Sequence, residues 1–332
     1  MSGFFPAFLA LIVAAIQNGT PLLFGTMGEI LTEKSGNLNL GVEGIMFMGG
    51  ALGLAGVFYY EKAAANPSGV MAVVIALLCA FIAGAIASLI FSFLTISLRA
   101  NQNVTGLALS IFGTGVGQFI GEYMRVREGG YIAISNALKG VFQNSPFPAA
   151  MQNLPVVGPI LFSSSIFFYI SIILSVGMYF FLGRSRKGLY LRSVGESPAT
   201  ADAAGINVIR YKYVATCLGC MIAGLGGLYH VMDYSSGIWS NNAFGDRGWL
   251  AIALVIFTIW RPNVGVLASF LFGGLYILHM YIPSGMNLAV KELYKMLPYV
   301  VTIIVLIISS LRNQRDKQPP QSLGLPYFRE DR

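Results

Sequence analysis

Long apolar stretches alternate with short polar segments along most of the chain. The apolar stretches are residues 4–31, 39–60, 70–98, 103–122, 160–182, 212–232, 248–260, 264–282 and 296–311. Most have the length of about 20 residues with which an α-helix crosses a bilayer. The stretch 248–260 is short for a full crossing, and the first stretch is interrupted at Asn18–Pro21, so it predicts one kinked helix or two short pieces. The pattern predicts an all-α fold: a polytopic transmembrane helical bundle of about nine to ten membrane segments with interrupted helices.

Composition excludes a soluble protein of this size. Hydrophobic residues make up 55% and charged residues 11% of the 332 residues, against about 25% charged in an average soluble protein. The net charge of +7 does not indicate a nucleic-acid partner, because the 21 Lys and Arg residues are scattered between apolar stretches. Cys217 and Cys220 have CxxC spacing but lie in an apolar run without a second ligand pair, so no metal site is predicted. His230 and His279 also lack a ligand at useful spacing.

The distribution of positive charge predicts the orientation in the membrane. If the loop 183–212 is cytoplasmic, 14 of the 21 basic residues lie inside, as the positive-inside rule requires. The predicted division is therefore a transmembrane domain over 1–311, with a cytoplasmic loop at 183–212 and an extracytoplasmic loop at 123–159, and a cytoplasmic tail at 312–332. The tail is polar and contains proline, which predicts a poorly ordered end.

Two membrane segments open with polar, glycine-rich sequence. The second begins after Asn37 and Asn39 with Gly41–Gly44, and the seventh begins with Gly245–Gly248. Each tetrad holds an acid between its glycines, and interrupted segments at corresponding places in two inverted halves indicate a transport site. The residues predicted to line a substrate pathway here are Asn37, Asn39, Glu43, Asp246 and Trp249. The alternative is that the glycines only allow close helix packing and that Glu43 is paired with a basic neighbour.

A cluster of amides precedes the fourth segment. Asn101 and Asn103 flank Gln102 at the end of a polar turn. Amide side chains donate and accept hydrogen bonds without the cost of burying a charge, so they suit a neutral solute. They would serve equally to cap the helix that follows, and both interpretations stay open.

The loop 183–212 contains a short predicted helix. Ser197–Pro198 is typical of a helix start, Ala199 and Ala203 favour helix, and Gly205 is typical of the position just past a helix end. This helix of about two turns is either a connector resting on lipid headgroups or a docking helix for a cytoplasmic ATPase. No phosphate-binding loop, nucleophile elbow or zinc-protease motif occurs in the sequence. The chain is therefore predicted to be a conduit, with no catalytic residue and no cofactor of its own.

Four stretches together resemble the ABC importer permeases of the branched-chain amino acid, simple-sugar and nucleoside group, and most of all the nucleoside and simple-sugar branch. The stretches, in family order, are Gly28–Gly49, Asn101–Leu109, Gly188–Asn207 and Gly248–Phe257. The resemblance implies a location in the bacterial cytoplasmic membrane and transport by ATP-driven alternating access.

The same resemblance implies partners. A separate ABC ATPase would bind ATP and Mg, a second related permease would complete the pathway as a heterodimer or homodimer, and an extracytoplasmic lipoprotein would deliver a small-molecule solute. It also places six residues of the inner loop at the ATPase contact: Gly195, Glu196, Pro198, Ala199, Ala203 and Gly205.

The solute and the energy source have alternatives. A nucleoside or similar neutral solute is favoured, and a simple sugar, a riboflavin-like vitamin or a branched-chain amino acid remains open. From other classes, an ion-coupled secondary transporter would use acids such as Glu43 and Asp246 as coupling sites. A membrane receptor or scaffold would need neither the interrupted segments nor the inner helix.

Overall fold

The computed structural model describes residues 4–241, 244–281, 288–312 and 318–329. Over these ranges the fold is helical, as the sequence predicts. The α-helices are α1 Phe4–Glu33, α2 Val42–Ala63, α3 Gly69–Ser92, α4 Gln102–Glu128, α5 Asn136–Gln143, α6 Ala149–Gln152, α7 Ile166–Arg184, α8 Arg186–Glu196, α9 Pro198–Ala203, α10 Val208–Tyr229, α11 Arg247–Thr258, α12 Pro262–Ile277, α13 Leu288–Lys295 and α14 Leu297–Arg312. Seven helices in the described ranges are long and apolar enough to cross a membrane, and α11 and α14 supply shorter apolar helices.

The first apolar stretch forms one helix, α1, although Pro21 lies inside it. Proline has no N–H to donate to the carbonyl four residues earlier, which here belongs to Gln17. The hydroxyl of Tyr229 donates to that Gln17 carbonyl at 3.2 Å. The helix therefore continues past the proline because a neighbouring helix satisfies the carbonyl group that the proline leaves unpaired.

The chain between α1 and α2 is irregular but buried, and side chains satisfy its backbone. Leu38 N–H donates to Gln102 Oε1 at 2.6 Å, and Asn39 N–H donates to Glu29 Oε1 at 3.0 Å. Gly41 N–H donates to Asn39 Oδ1 at 2.9 Å. Irregular backbone inside a bundle needs such partners because no water is available to it.

Helix α11 is apolar but too short to cross a membrane. Its 12 residues span about 18 Å, well short of a hydrocarbon core of about 30 Å. Left-handed residues stand at both ends, Asp246 with φ +60° before it and Ile259 with φ +55° after it. A non-glycine residue pays for this conformation, so the breaks at both ends of α11 are fixed by the surrounding structure.

Glycines set the packing of the most buried long helices, α2 and α10. A Cβ added at Gly49 of α2 would lie 2.7 Å from the Gly224 Cα of α10, and one at Gly50 would lie 2.8 Å from the Gly227 carbonyl oxygen. Backbones approach this closely only where small residues face each other. The centre of the bundle is thus built from α1, α2 and α10, with α3, α4, α11 and α12 around them.

The structure contains the short helix expected in the loop 183–212 and corrects the expectation for the tail. The loop contains two helices, because α8 precedes the expected short helix α9. Ser185 begins α8 by accepting from Gly188 N–H at 2.9 Å, and Leu191 and Val194 are its buried face. The expectation of a poorly ordered tail is wrong for residues 318–329, which we call the C-terminal segment. This segment packs against α8 through Ser322, which is buried.

Candidate functional site

The two glycine tetrads predicted from the sequence meet in the structure. Gly248, at the start of α11, lies against Glu43 of α2, and a Cβ added at Gly248 would lie 2.6 Å from the Glu43 backbone nitrogen. The Gly248 N–H donates to Glu43 Oε2. A carboxylate at a helix N-terminus is stabilised by the unpaired N–H groups and by the helix dipole. Glu43 is thus held by backbone groups of the second interrupted segment.

A cavity of about 650 Å³ opens beside this contact, and we call it the Glu43 cavity. Its lining is formed by Glu43, Phe47, Ser110, Ile111, Thr114, Gly115, Gln118, Asn241, Gly245, Asp246 and Trp249. Two carboxylates, four neutral polar side chains and two aromatic rings therefore face one space. No Lys or Arg is among these lining residues. Such a space offers hydrogen bonds and flat apolar surfaces, but no fixed positive charge.

Three of the seven predicted pathway residues line this cavity: Glu43, Asp246 and Trp249. The four asparagines do not. Asn37 and Asn39 are buried, donating their amides to Thr216 Oγ1 and Cys220 Sγ. Asn101 caps α4, accepting from Val104 N–H at 3.1 Å, and Asn103 is exposed.

Helix α4 supplies cavity residues that the sequence reasoning missed. Ser110, Thr114 and Gln118 are spaced four residues apart and line the cavity, because a helix presents every fourth residue on nearly the same face. Ser110 also donates to the Leu40 carbonyl at 2.8 Å, which connects α4 to the irregular segment before α2. In the sequence, the signal for these residues is a polar side chain at every fourth position within the apolar run 103–122.

Arg247 lies next to the cavity but is turned away from it. The guanidinium is buried, with Nη2 donating to Asn18 Oδ1 at 2.9 Å and Nη1 donating to the Phe244 carbonyl at 2.7 Å. It also lies over the rings of Tyr234 and Tyr276. The cation is satisfied inside the bundle, and its interactions with α1 fix the start of α11.

Residues 11–306 match the family described as the permease component of the branched-chain amino acid transport system. The chain belongs to this permease family. It is therefore a multi-pass protein of the cell membrane and the translocation subunit of an ABC transporter. It is not itself an enzyme, since ATP is hydrolysed by a separate chain. ABC permeases of this kind work with an ATPase and a substrate-binding protein.

Three relatives match nearly the whole permease. The nucleoside ABC transporter permease protein NupC of Lactococcus lactis is 32% identical over 90% of this chain and 92% of its own. The guanosine ABC transporter permease protein NupQ of Bacillus subtilis is 30% identical over 98% of each chain. The putative glucose ABC transporter permease protein TsgC13 of Haloferax volcanii is 30% identical over 96% of this chain and 98% of its own.

The residues predicted at the ATPase contact lie on and around α8 and α9 of the permease. Ala199, Ala203, Gly205 and Glu196 are exposed, and Pro198 is partly exposed. Gly195 is buried, and its carbonyl accepts from Ser322. We call the exposed residues Ala199 and Ala203 of α9, together with Gly205 just after it, the coupling surface.

Lys34, in the turn after α1, lies between α8 and the end of α11. It lies 5.9 Å above the ring of Trp260, at the end of α11. Burial lowers the pKa of Lys34, as do the nearby charges of Arg192 and Arg261, while Glu196 opposes the shift. Charged groups of α8 are thus close enough to the turn after α1 to act on it electrostatically.

Proposed function

We propose that this permease takes up a neutral nucleoside by ATP-driven alternating access, with the Glu43 cavity as part of the pathway. The observation that carries the proposal is the lining of that cavity. Phe47 and Trp249 provide faces on which a base can stack. Glu43, Ser110, Thr114 and Gln118 provide acceptors and donors for ribose hydroxyls and base edges.

The absence of Lys and Arg from this lining supports a neutral solute over an anionic one. Phosphate recognition relies on charge-assisted bonds from Arg or Lys, and two carboxylates in the same space would repel a phosphate. The names of two relatives, a nucleoside permease and a guanosine permease, support the same choice.

A simple sugar is the second candidate. Carboxylates accept hydrogen bonds from vicinal hydroxyls, and an aromatic ring packs on a pyranose face, so Glu43, Asp246 and Trp249 suit a hexose as well. A relative named as a putative glucose permease favours this candidate. The two candidates differ in what the second aromatic ring would contact, because a hexose has no base to stack.

The proposed complex follows from the permease family. The α8 end of the bundle faces the cytoplasm, and the ATPase, which binds ATP and Mg, docks on the coupling surface. A second related permease pairs with this chain, and an extracytoplasmic lipoprotein delivers the solute on the side of residues 123–159. The tail 312–332 belongs to the cytoplasmic side.

Uptake into proteoliposomes containing the assembled transporter tests the substrate. We expect ATP-dependent uptake of labelled guanosine that unlabelled inosine competes for, while glucose and guanosine monophosphate do not compete. Competition by glucose alone would replace the nucleoside with a sugar. Uptake that persists without ATP but stops with a protonophore would overturn the ABC mechanism in favour of ion coupling.

Gly205→Val tests the coupling surface. Gly205 has φ +82°, which a β-branched residue adopts only at a cost, although a Cβ there would meet no atom within 4 Å. We expect recovery of the ATPase in a detergent pull-down to fall several-fold. Gly183→Val is the matched control, because Gly183 lies in α7 without positive φ and is equally unobstructed. Equal recovery with both variants would contradict the docking role.

A further inference from the structure

A second cavity, of about 270 Å³, lies at the α8 end of the bundle, and we call it the Lys212 cavity. It is enclosed by the turn before α2, the π-helical turn that ends α3, the starts of α4 and α10, and the C-terminal segment. Its lining consists of Asn37, Thr95, Ile96, Ser97, Arg99, Gln102, Ile209, Lys212, Pro326, Tyr327 and Arg329. The proposed nucleoside pathway does not use this space.

The charges around this cavity have one sign. Arg99, Lys212 and Arg329 line it, and no Asp or Glu is among its lining residues. Lys212 is only 3% exposed, and the described residues give it neither an ion pair nor a hydrogen bond. Burying an ammonium without a counter-charge is costly. Lys212 is thus the buried charge that an anion in this cavity would neutralise, with Arg99 and Arg329 exposed at its rim.

Neutral polar atoms of the same cavity also lack partners. The Oδ1 atom of Asn37 and the hydroxyl of Tyr327 are buried, and neither has a hydrogen-bond partner in the described structure. Buried polar atoms are normally paired, so these two groups are free to bond a ligand or a water in the cavity. The Tyr327 hydroxyl can donate to an anion, and Asn37 Oδ1 can accept from a protonated oxygen or a bound water.

The two guanidinium groups also make contacts outside the cavity. Arg329 forms an ion pair with Asp202 at 3.4 Å, and Arg99 lies 4.5 Å from the ring of Phe328. Arg99 also has φ +58°, a conformation that an arginine adopts only when the surroundings hold it.

We propose that the Lys212 cavity binds a phosphate group. A phosphate supplies the counter-charge that Lys212 lacks, and its oxygens suit bonds from guanidinium and ammonium groups. The space accepts inorganic phosphate with its hydration water or the phosphate of a small phosphorylated molecule. Because Tyr327 and Arg329 belong to the C-terminal segment, the bound phosphate ties that segment to α4 and α10.

The location of this site in the cytoplasm rests on the proposed orientation, but its charge does not. The binding experiment below uses no transported solute. Its failure would therefore leave the proposed nucleoside transport standing, and failure of nucleoside uptake would leave the phosphate site standing.

Equilibrium dialysis of the full-length permease against radiolabelled inorganic phosphate tests the site. The protein is purified in a neutral detergent without the ATPase, because the ATPase binds phosphate itself. We expect saturable binding at one site per chain, weakened at least about tenfold in Lys212→Met and much less in Lys212→Arg. Lys187→Met is the matched control, since Lys187 is exposed on α8 outside the cavity. We expect it to bind as the unmodified chain does.

A melting curve separates loss of binding from loss of folding. Met keeps the apolar stem of Lys212 and removes the unpaired charge, so we expect Lys212→Met to be at least as stable as the unmodified chain without phosphate. We expect phosphate to raise the melting temperature of the unmodified chain and of Lys187→Met, and to raise that of Lys212→Met less. Arg329→Met is a second variant for the same comparison.

Nanodiscs distinguish a free phosphate from a lipid headgroup. If the ligand is free phosphate, binding persists in phosphatidylcholine discs and is unchanged by phosphatidylglycerol. If the ligand is a headgroup, phosphatidylglycerol competes with labelled phosphate, and the competition is lost in Lys212→Met. The proposal is overturned if binding is not saturable, or if Lys212→Met binds phosphate as tightly as the control.

Discussion

The Glu43 cavity and the Lys212 cavity lie in the same bundle, and both adjoin the irregular chain between α1 and α2. The first is lined by two acids and no Lys or Arg, and the second by three cations and no Asp or Glu. The buried charged group of each cavity also differs in its hydrogen-bond partners. Glu43 accepts from the backbone of α11, whereas Lys212 has no partner among the described residues. A charge that is already paired with backbone can line a path for neutral solutes, while an unpaired charge selects a counter-ion.

The difference follows from which backbone atoms surround each cavity. Around Glu43 the broken start of α11 exposes N–H groups, and N–H groups stabilise a carboxylate. Lys212 lies near the first turn of α10, where N–H groups are again the unpaired ones and cannot accept from an ammonium. The positive end of a helix thus supports the acid in one cavity and leaves the lysine in the other unsupported.

Gly248→Val is expected to have the largest effect, because it breaks the contact that builds the Glu43 cavity. The added side chain would collide with backbone atoms of Glu43, which cannot move aside cheaply. Overpacking of this kind costs about 1–3 kcal/mol, and we expect lower yield and a lower melting temperature. Gly115→Val is the control, because Gly115 lines the same cavity with no atom within 4 Å of its added Cβ. Equal melting of the two variants would contradict the contact.

Glu43→Gln is expected to have the next largest effect. It tests whether uptake needs the negative charge of Glu43. Glutamine keeps an oxygen that can accept from Gly248 N–H but loses the charge that strengthens this bond, a loss of about 1 kcal/mol. We expect assembly with the ATPase to persist and nucleoside uptake to fall about tenfold if the carboxylate holds solute hydroxyls.

Glu61→Gln is the control for that measurement, because Glu61 lies at the opposite end of α2 and accepts from Ser135 N–H. Uptake and complex yield are measured side by side in proteoliposomes. Normal uptake by Glu43→Gln would remove the carboxylate from the pathway, and a loss of complex yield before uptake would make it structural.

Ser322→Ala is expected to have the smallest effect and concerns the wall of the Lys212 cavity. The Ser322 hydroxyl donates to the Gly195 carbonyl at 2.6 Å, and the Ser322 N–H donates to the same oxygen at 3.1 Å. Removing one of two bonds costs about 1 kcal/mol, so we expect hydrogen exchange of the Ser322 and Gly324 amides to accelerate a few-fold. Ser193→Ala, which removes a hydroxyl that donates to the Tyr190 carbonyl within α8, should leave both amides unchanged. An unchanged Gly324 amide in Ser322→Ala would show that the segment is held elsewhere.

The helical spans could be predicted from the sequence because hydrophobic length alone determines them. The glycine tetrads were also visible, since glycines flank an acid in both Gly41–Gly44 and Gly245–Gly248. That the tetrads lie against each other could not be predicted, because the contact depends on how α2 and α11 pack. The asparagines were ambiguous for a physical reason: an amide that suits a neutral solute suits a helix cap or an irregular backbone equally well.

Helix α8 and the C-terminal segment were missed for different reasons. The sequence of α8 has few apolar residues, and its buried face consists of Gly188, Leu191, Val194 and Gly195. The C-terminal segment is polar and contains proline, which is typical of disordered tails. Its backbone N–H groups donate to the carbonyls of Gly195 and Gly36. Every residue has a backbone carbonyl, so such bonds cannot be predicted from residue types.

The C-terminal segment has a consequence for the order in which the protein is made. It follows the described helices α1 to α14, yet it covers Gly195 and contacts the turn at Gly36, at the beginning of the first interrupted segment. During synthesis the helices from α1 to α14 emerge before it. The surface around Gly195 therefore becomes complete only after the helices α1 to α14 have been synthesised.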